Sequence, residues 1–334
     1  MVMDNTDMRI VIEEQGLRDG LQSETIIVPT ARKLELVDEL VDAGLKRIQV
    51  CSFVHPKRVP QMADAEAICA GLNRRPDVIY SGLVLNLKGV ERAIAAGLDH
   101  VGASISASDT HSRKNTGMSL DEAHGRYAEM VRSAKAAGLT VRGGLQCAFG
   151  CRFEGAVDPD RVVELVKNHL ELDIDELALA DSTGMANPRS IQDLMGQVVE
   201  LAGDRPVILH LHDTEGRGLA NALAAIQSGV RVFDTAFGGM GGCPFIKGAT
   251  GNIATEDLVA MVERMGLATG VDIRTVWQKE AGYSPASYRQ HAAQISQAIE
   301  SGDTMAQGMA ACGDYFPPLA CTLVDVGEKT GRLD

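Results

Sequence analysis

The junction that decides the fold reads Asp42-Ala-Gly-Leu-Lys-Arg-Ile-Gln-Val-Cys51, where one helix ends and one strand begins. A helix is predicted over 30–43, Gly44 supplies the left-handed residue that often follows a helix, and a β-rich run over 46–52 comes at once. The same junction returns at Ala95–Leu98, Ala136–Leu139 and Gln227–Val230. Helices that pass directly into strands in this alternation indicate a parallel sheet.

Eight strands with helices between them are predicted along the chain. The strands lie near residues 8–14, 46–52, 78–85, 99–105, 139–146, 175–181, 206–211 and 230–235. Thr30 is the expected N-cap of the first helix, and Ser119 with Glu122 predicts a capping box for a helix over 119–137. Eight strands and eight helices are the count of an α/β fold of the (β/α)8 TIM-barrel type.

A doubly wound sheet is the alternative architecture for this alternation. Such a sheet normally carries a GxGxxG motif after its first strand, whereas this chain has Gln15-Gly-Leu-Arg-Asp-Gly20 there. The barrel is therefore the better prediction, with residues 1–268 as the TIM-barrel catalytic domain. Residues 269–334 are predicted to form a helical C-terminal extension that covers the barrel mouth or makes an oligomer contact.

The composition indicates a cytoplasmic globular protein without nucleic-acid or membrane partners. The formal net charge is −13 and no long basic block is present, so a general phosphate-binding surface is not expected. The chain has no run of about 18 apolar residues, and its acidic start does not resemble a signal or transit peptide. Its seven cysteines are an odd number, which is typical of free thiols in a reducing cytosol.

Two histidines mark a candidate metal site. His210 and His212 are one residue apart at the end of an apolar strand, so both side chains point to one face, as two ligands of one metal must. Asp19 follows the first strand and Asn252 follows the last one, and these strands are neighbours in a closed barrel. This set of nitrogen and oxygen ligands suits Mg²⁺ or Mn²⁺. The alternative is that both histidines only form hydrogen bonds within the barrel.

Two further residues are candidates for chemistry beside the metal. Cys243 lies in a glycine-rich run just before a proline, where a thiol can act as acid or base; the alternative is a small buried apolar residue. Arg18 precedes Asp19 and can donate a planar fork to a carboxylate or carbonyl oxygen. The alternative for Arg18 is an ion pair with Glu13 or Glu14.

At these residues the chain resembles the 3-hydroxy-3-methylglutaryl-CoA lyase family and, more broadly, the DRE-TIM metallolyases. The similarity covers about residues 8–268 and rests on several motifs together. They are Gly16-Leu-Arg-Asp-Gly-Leu-Gln22, Ser52–Met62, Asn86-Leu-Lys-Gly89, Cys147-Ala-Phe-Gly-Cys151, His210-Leu-His-Asp-Thr-Glu-Gly216, Gly239–Asn252 and Ala254-Thr-Glu-Asp257. The Gly-Gly-Cys243-Pro sequence is similar to the lyases and differs from the condensing isopropylmalate and homocitrate synthases.

The resemblance implies a role for each candidate residue. It assigns the metal to Asp19, His210, His212 and Asn252, the thioester carbonyl to Arg18, acid–base catalysis on a mobile loop to Cys243, and support of the site to Asp181 and Glu256. The implied reaction is a metal-dependent retro-Claisen cleavage of a branched 3-hydroxyacyl-CoA to acetyl-CoA and a keto acid. The implied cofactor is Mg²⁺ or Mn²⁺, and a homo-oligomer, a dimer or a tetramer, is expected.

One position departs from the family pattern. Where the lyases carry a catalytic Glu at the end of strand two, this chain has Gln49, which cannot accept a proton at neutral pH. Asp181, His55 or a metal-bound hydroxide is expected to do that work. Two alternatives to the lyase follow from this departure. One is a condensing or aldolase-type enzyme acting on a related acyl-CoA or 2-keto acid, and the other is a non-catalytic acyl-CoA-binding relative.

Overall fold

A computed structural model of the 334-residue chain describes residues 9–24, 27–242, 251–272, 294–295 and 297–313. The chain divides into two compact units, Met1–Ile273 and Arg274–Asp334, and each is described by itself. The predicted domain boundary after residue 268 and the functions predicted for the extension stay predictions.

The first unit is a closed barrel of eight parallel strands. They are β1 (Val11–Glu14), β2 (Arg47–Ser52), β3 (Ile79–Val84), β4 (His100–Ser106), β5 (Thr140–Gln146), β6 (Glu176–Asp181), β7 (Val207–Leu211) and β8 (Val232–Thr235). Each strand pairs with the next along the chain, and β8 closes the barrel by pairing with β1, with Thr235 opposite Glu14. The prediction of a (β/α)8 barrel is confirmed, and the doubly wound alternative is wrong.

At least one helix joins each strand to the next. The helices of this unit are α1 (Thr30–Asp42), α2 (Ala65–Gly71), α3 (Leu87–Ala95), α4 (Asp109–Thr116), α5 (Leu120–Ala136), α6 (Pro159–Glu171), α7 (Pro188–Ala202), α8 (Gly218–Gln227) and α9 (Thr255–Arg264). Shorter turns are a π-helical turn at Gly16–Gly20 and 3-10 turns at Pro60–Met62 and Phe237–Gly239. Such crossovers are what parallel strands require.

Glycines follow the helices where the repeated junction predicts them. The φ angles are 101° at Gly44, 71° at Gly97, 81° at Gly138 and 98° at Gly229, all in the left-handed region. Each of these residues turns the chain from the end of a helix towards the next strand, which is the geometry that glycine adopts without steric cost.

One of the two predicted helix starts is confirmed. Ser119 and Glu122 form the predicted capping box at the start of α5. The predicted N-cap at Thr30 is wrong, because Pro29 occupies that position and Thr30 is the first helical residue. The Thr30 hydroxyl donates instead to Asp64 at 2.8 Å, so a distant partner has replaced the local cap.

The pairing of β2 with β3 is irregular near the carboxyl end of β2. Gln49 lies opposite Ser81 and Cys51 lies opposite Gly82, so Val50 is an extra residue in the ladder. Bulges of this kind re-aim side chains and are common beside functional sites. Here the bulge adjoins Gln49, the residue that departs from the family pattern.

A buried ionic network crosses the barrel interior. Arg47 donates to both carboxylate oxygens of Glu176, at 2.7 and 2.6 Å, and to Glu13 at 2.9 Å. Arg142 pairs with Asp234 at 2.9 Å and lies 3.3 Å from Glu13. All five side chains are buried, and each meets an opposite charge, as buried charges must to avoid a large desolvation cost.

The described part of the second unit is partly helical. Helix α10 (Met305–Ala310) begins with a capping box between Thr304 and Gln307, and residues 297–300 are helical as well. Within the described parts of both units, every helix is too short or too polar to cross a membrane.

Candidate active site

The end of β7 brings two imidazoles together. His210 and His212 line one cavity, while Leu211 between them points to the other face of the strand. Their Nε2 atoms lie 3.0 Å apart, and both side chains are buried. Two neutral imidazole nitrogens at this distance need a shared proton or a cation between them, because their lone pairs would otherwise face each other.

The turn after β1 carries the third candidate ligand. Its π-helical residues Gly16–Gly20 are fixed by backbone hydrogen bonds to the carbonyl oxygen of Gln15. Asp19 Oδ2 lies 3.7 Å from His212 Nε2. One ligand atom from each of Asp19, His210 and His212 lies within 4.8 Å of the others, close enough for all three to reach one metal ion.

Asn252 joins this cluster from the segment after β8. It bridges to His212 through the backbone, and its Nδ2 donates to Asp19 Oδ2 and to the Met240 carbonyl, both at 2.9 Å. Its Oδ1 is buried and has no hydrogen-bond partner among the residues that the structure describes. Such an orphaned oxygen costs about 1–3 kcal/mol, which a neighbouring cation would offset. The four predicted ligands therefore come together and fit a divalent cation.

His210 is held from behind by Asp234, at the end of β8. Its Nδ1 lies 3.0 Å from Asp234 Oδ2, so Nδ1 carries the proton and the Nε2 lone pair faces the cluster. Although burial opposes ionisation, Arg142 and His210 hold the pKa of Asp234 well below its usual range. No motif in the sequence singles out Asp234 or Arg142; the available signal is a charged residue within a mainly apolar strand.

Asp19 and His212 have the protonation states that metal binding requires. Burial opposes ionisation of Asp19, but Arg18 and the two histidines hold its pKa well below the usual range. Burial and the nearby His210 lower the pKa of His212 to about 4, so this imidazole is neutral at pH 7. An ionised carboxylate and a neutral imidazole are the forms that bind a metal.

Arg18 lies on the cavity wall beside Asp19. Its guanidinium donates to Asp19, to Oε1 of Gln49, and to Oε1 of Gln15 at 3.0 Å. The alternative ion pair with a glutamate of β1 is wrong, because Arg18 forms its ion pair with Asp19. Gln49 is 2% exposed and also lines the cavity, so its amide orients Arg18 without adding charge.

Asp181 and Glu256 contact loops, and neither is among the cavity-lining residues that the structure describes. Asp181 accepts hydrogen bonds from the backbone N–H groups of Met185 and Ala186, both at 3.0 Å. Burial raises the pKa of Asp181 to about 6, although these hydrogen bonds oppose the rise. Glu256 accepts from the Gly238 N–H at 3.0 Å. Their supporting roles stay predictions, and these contacts are where such support would act.

Cys243 lies outside the described residues, so its acid–base role stays a prediction. The described loop before it includes Gly242, which lines the cavity, and Gly241, which has a φ of 117°. A side-chain carbon at Gly241 would lie 2.6 Å from Asn252 Nδ2 and 3.4 Å from Asp19 Oδ2. Glycine is therefore required there both for its conformation and for close approach to the ligands.

The ligands open onto a cavity of about 200 Å³ at the carboxyl ends of the strands. Small and apolar residues of the strands β3 to β6 and of the segment just after β3 form much of its wall: Leu83, Leu85, Gly102, Leu145, Ala178 and Ala180. Polar groups are added where Gln146 Nε2 donates to Ser104 Oγ at 2.9 Å. The cavity thus offers both apolar and polar wall groups directly beside the cluster.

His111 is a cavity-lining imidazole outside the metal cluster. It lies in α4, shortly after β4, and its Nδ1 is 3.1 Å from Ser106 Oγ. Burial lowers the pKa of His111, although Glu154 opposes this, so the ring is neutral at pH 7. A single histidine in a polar helix gives no sequence pattern, and only the fold brings it to the cavity.

Known proteins are similar to this chain over most of its length. A family described as HMGL-like matches residues 9–281, which include all four candidate ligands. The cytoplasmic 3-hydroxy-3-methylglutaryl-CoA lyase of Rattus norvegicus is 42% identical over 269 residues, covering 80% of this chain and 78% of that protein. The mitochondrial hydroxymethylglutaryl-CoA lyase of Bos taurus is 40% identical over 290 residues, covering 87% and 89%.

Solved structures of HMG-CoA lyases are also similar to this chain. An HMG-CoA lyase from Acinetobacter baumannii, in complex with coenzyme A and 3-methylmalate, has a TM-score of 0.79 and 41% identity, covering 82% of this chain and 89% of that chain. The HMG-CoA lyase from Brucella melitensis has a TM-score of 0.77 and 39% identity, covering 80% and 95%. The similarity therefore holds in three dimensions as well as in sequence.

Proposed function

We propose that this chain, which belongs to the HMGL-like family, uses a divalent cation to cleave a branched 3-hydroxyacyl-CoA of the 3-hydroxy-3-methylglutaryl-CoA type. Its membership confirms the resemblance predicted from the sequence and makes the chain a carbon–carbon lyase. The condensing and non-catalytic alternatives gain no support, since the relatives are named as lyases. The convergence of Asp19, His210 and His212 carries the metal-dependent part of the proposal.

The cation would be held by Asp19, His210, His212 and Asn252. One carboxylate, two imidazoles and one amide oxygen leave positions for substrate oxygens, and this set suits Mg²⁺ or Mn²⁺. When bound, the cation would polarise those oxygens and lower the pKa of a substrate hydroxyl. Asp234 keeps the proton on His210 Nδ1, which leaves Nε2 to act as a ligand.

Arg18 is the residue that we assign to the thioester carbonyl. Its guanidinium lies on the cavity wall, oriented by Asp19 and Gln49. Cleavage of the C2–C3 bond leaves the electron pair on the acetyl-CoA fragment as an enolate, with negative charge on the thioester oxygen. A fixed N–H donor aimed at such an oxygen is worth about 3 kcal/mol in the transition state.

The cavity has a size that suits the acyl part of the substrate. A volume of about 200 Å³ admits a branched acyl group and leaves the much larger CoA carrier outside. The Acinetobacter baumannii relative is a complex with coenzyme A and 3-methylmalate, a thiol carrier together with a small hydroxy diacid. These molecules support an acyl-CoA whose acyl part carries both a hydroxyl and a carboxylate.

The proton of the substrate hydroxyl needs an acceptor, and the residues that line the described cavity limit which side chains can accept it. Gln49 is neutral and already accepts from the neighbouring guanidinium. Asp181 accepts hydrogen bonds from backbone N–H groups and is not among the described cavity-lining residues, and His55 is exposed. Among the described residues that line the cavity, we assign the proton to His111, directly or through one water. Cys243 keeps its proposed role as the acid that protonates the enolate carbon.

Product analysis with metal control tests this proposal. Purified protein with Mg²⁺ or Mn²⁺ is expected to release acetyl-CoA from members of a panel of branched 3-hydroxyacyl-CoAs, as followed by mass spectrometry. Thorough chelation is expected to stop turnover, and added metal to restore it. Asp19→Asn should bind Mn²⁺ at least about 10-fold more weakly, whereas Asp193→Asn, on an exposed ion pair of α7, should match wild type. Turnover that survives complete metal removal would overturn the proposal.

A further inference from the structure

A buried carboxylate joins three segments around the oxygen ligands of the metal site. Glu14, the last residue of β1, is fully buried. Its Oε1 accepts hydrogen bonds from the backbone N–H groups of Gly16 at 2.6 Å and Phe237 at 3.0 Å. Its Oε2 accepts from the Thr255 hydroxyl at 2.6 Å. One side chain therefore satisfies donors from three separate places in the chain.

Each donor belongs to a segment that carries or adjoins a candidate ligand. Gly16 opens the π-helical turn that contains Asp19. Phe237 opens the loop after β8, and Thr255 begins α9 three residues after Asn252. The positions of both oxygen ligands therefore depend on segments that meet at one carboxylate.

We propose that Glu14 is a positioning residue for the metal centre. Its carboxylate holds the turn of Asp19 against the segments that flank Asn252, so that these two oxygen ligands meet the histidines. This role rests on the metal site of the proposed function. Glu14 makes no hydrogen bond to the two nitrogen ligands: His210 is fixed in β7 by Asp234, and His212 follows directly after that strand.

The packing around Glu14 leaves no room for a different arrangement. A side-chain carbon at Gly16 would lie 2.5 Å from the Phe237 ring and 2.6 Å from Glu14 Oε1. One at Gly251 would lie 2.5 Å from the Gly239 carbonyl oxygen. The turn and the two segments are thus in direct contact, and loss of their shared acceptor would leave the N–H groups of Gly16 and Phe237 without this hydrogen-bond partner.

The hydrogen bonds of Glu14 survive its protonation, which provides a conservative variant. Burial raises the pKa of Glu14 to about 7. The three hydrogen bonds oppose this rise, and the nearby Glu256 adds to it. A protonated Glu14 can donate to Thr255 Oγ1, which lies 2.6 Å from Thr235 Oγ1 and can pass its own hydrogen there. Glutamine copies this neutral form, since Nε2 replaces the O–H. Methionine fills a similar volume but accepts none of the three hydrogen bonds.

Mn²⁺ binding and thermal unfolding, measured on the same proteins, test the positioning role. Glu14→Gln is expected to bind Mn²⁺ within about threefold of wild type, and Glu14→Met to bind at least about 10-fold more weakly. Glu176→Met is the matched control, because Glu176 is a buried carboxylate at the amino-terminal end of β6. Both methionine variants should have a lower Tm, but the control should keep its Mn²⁺ affinity.

The outcomes separate the two proposals. Wild-type protein that binds no Mn²⁺ would overturn the metal site, and the positioning role with it. Wild-type affinity in Glu14→Met, or an equal loss in Glu176→Met, would overturn only the positioning role. Should Glu14→Met not fold, Thr255→Val removes a single donor, and its Mn²⁺ affinity is expected to fall several-fold; unchanged affinity there would refute the role.

Discussion

Asp234→Asn tests whether Asp234 serves metal binding as well as folding. The Asp234 carboxylate now receives Arg142 on both oxygens and His210 Nδ1 on one of them. An asparagine has one oxygen and one NH₂ group, so its NH₂ must face the guanidinium in either orientation, and in one orientation it also faces the imidazole. Facing His210, the NH₂ donates to Nδ1 and moves the imidazole proton to Nε2, the atom that should bind the metal.

Asp234→Asn should lower both the affinity for the metal and the free energy of unfolding, by different amounts. Loss of an outer partner of a metal ligand typically costs 10- to 100-fold in metal affinity, or about 1.4–2.7 kcal/mol at about 1.4 kcal/mol per tenfold change. The free energy of unfolding should also fall, because Arg142 would keep one full acceptor and Glu13 at 3.3 Å. Breaking a buried ion pair costs about 3–5 kcal/mol, and the remaining acceptors place this case near 3 kcal/mol.

Two assays on the same variant resolve these parts. Mn²⁺ affinity is measured by electron paramagnetic resonance of free Mn²⁺, and unfolding free energy by urea titration of metal-free protein. Asp193→Asn, which removes one charge from a largely exposed ion pair, should leave both quantities unchanged within about 0.5 kcal/mol. If Asp234→Asn loses stability but binds Mn²⁺ as tightly as wild type, Asp234 serves the fold alone and its role behind His210 is refuted.

Three further predictions concern Gly16, His169 and His111. Gly16→Ala should lower the free energy of unfolding by about 1–3 kcal/mol, because the added methyl group overpacks against Phe237. The control Gly125→Ala, in open space on α5, should raise it by about 0.5–1 kcal/mol, and equal effects of the two variants in urea titrations would contradict this. Burial lowers the pKa of His169 to about 4, so through this group the unfolded chain binds more protons than the folded chain between pH 6.5 and 4. His169 alone therefore lowers the free energy of unfolding by about 3 kcal/mol as the pH drops through this range, and His169→Gln should remove that part of the pH dependence in urea titrations. His111→Asn should lower kcat about 100-fold and remove the acid limb of the pH profile of kcat/KM, while the affinity for Mn²⁺ stays unchanged. If the variant keeps the acid limb, His111 is not the proton acceptor.

The barrel could be predicted because its signals are local. A helix that ends in glycine and passes at once into a β-rich run fixes both elements within about ten residues of chain, and the predicted run 46–52 became β2 (Arg47–Ser52). The predicted cap at Thr30 failed for the opposite reason. Its hydroxyl found Asp64, 34 positions away, and no local pattern encodes that contact.

The same division holds for the candidate metal ligands. His210 and His212 could be predicted because alternation along a strand gives both one face, and closure of the barrel brings Asp19 beside them. Asp234 and Glu14 could not be assigned roles from the sequence. Glu14 meets partners 223 and 241 positions away, and its contacts exist only after β1 and β8 have paired.

Gln49 shows why an altered residue has to be interpreted together with its neighbours. From the sequence alone, the change from Glu removes a proton acceptor. In the fold, Gln49 still orients Arg18 through Oε1, and the guanidinium has Asp19 as its one ion-pair partner among the described residues. A second carboxylate about 4 Å from Arg18 would offset its charge by up to about 4 kcal/mol at an effective dielectric constant of 20. The amide therefore leaves Arg18 a stronger partner for an enolate oxygen, and it leaves proton transfer to a separate group, which is the role that we assign to His111.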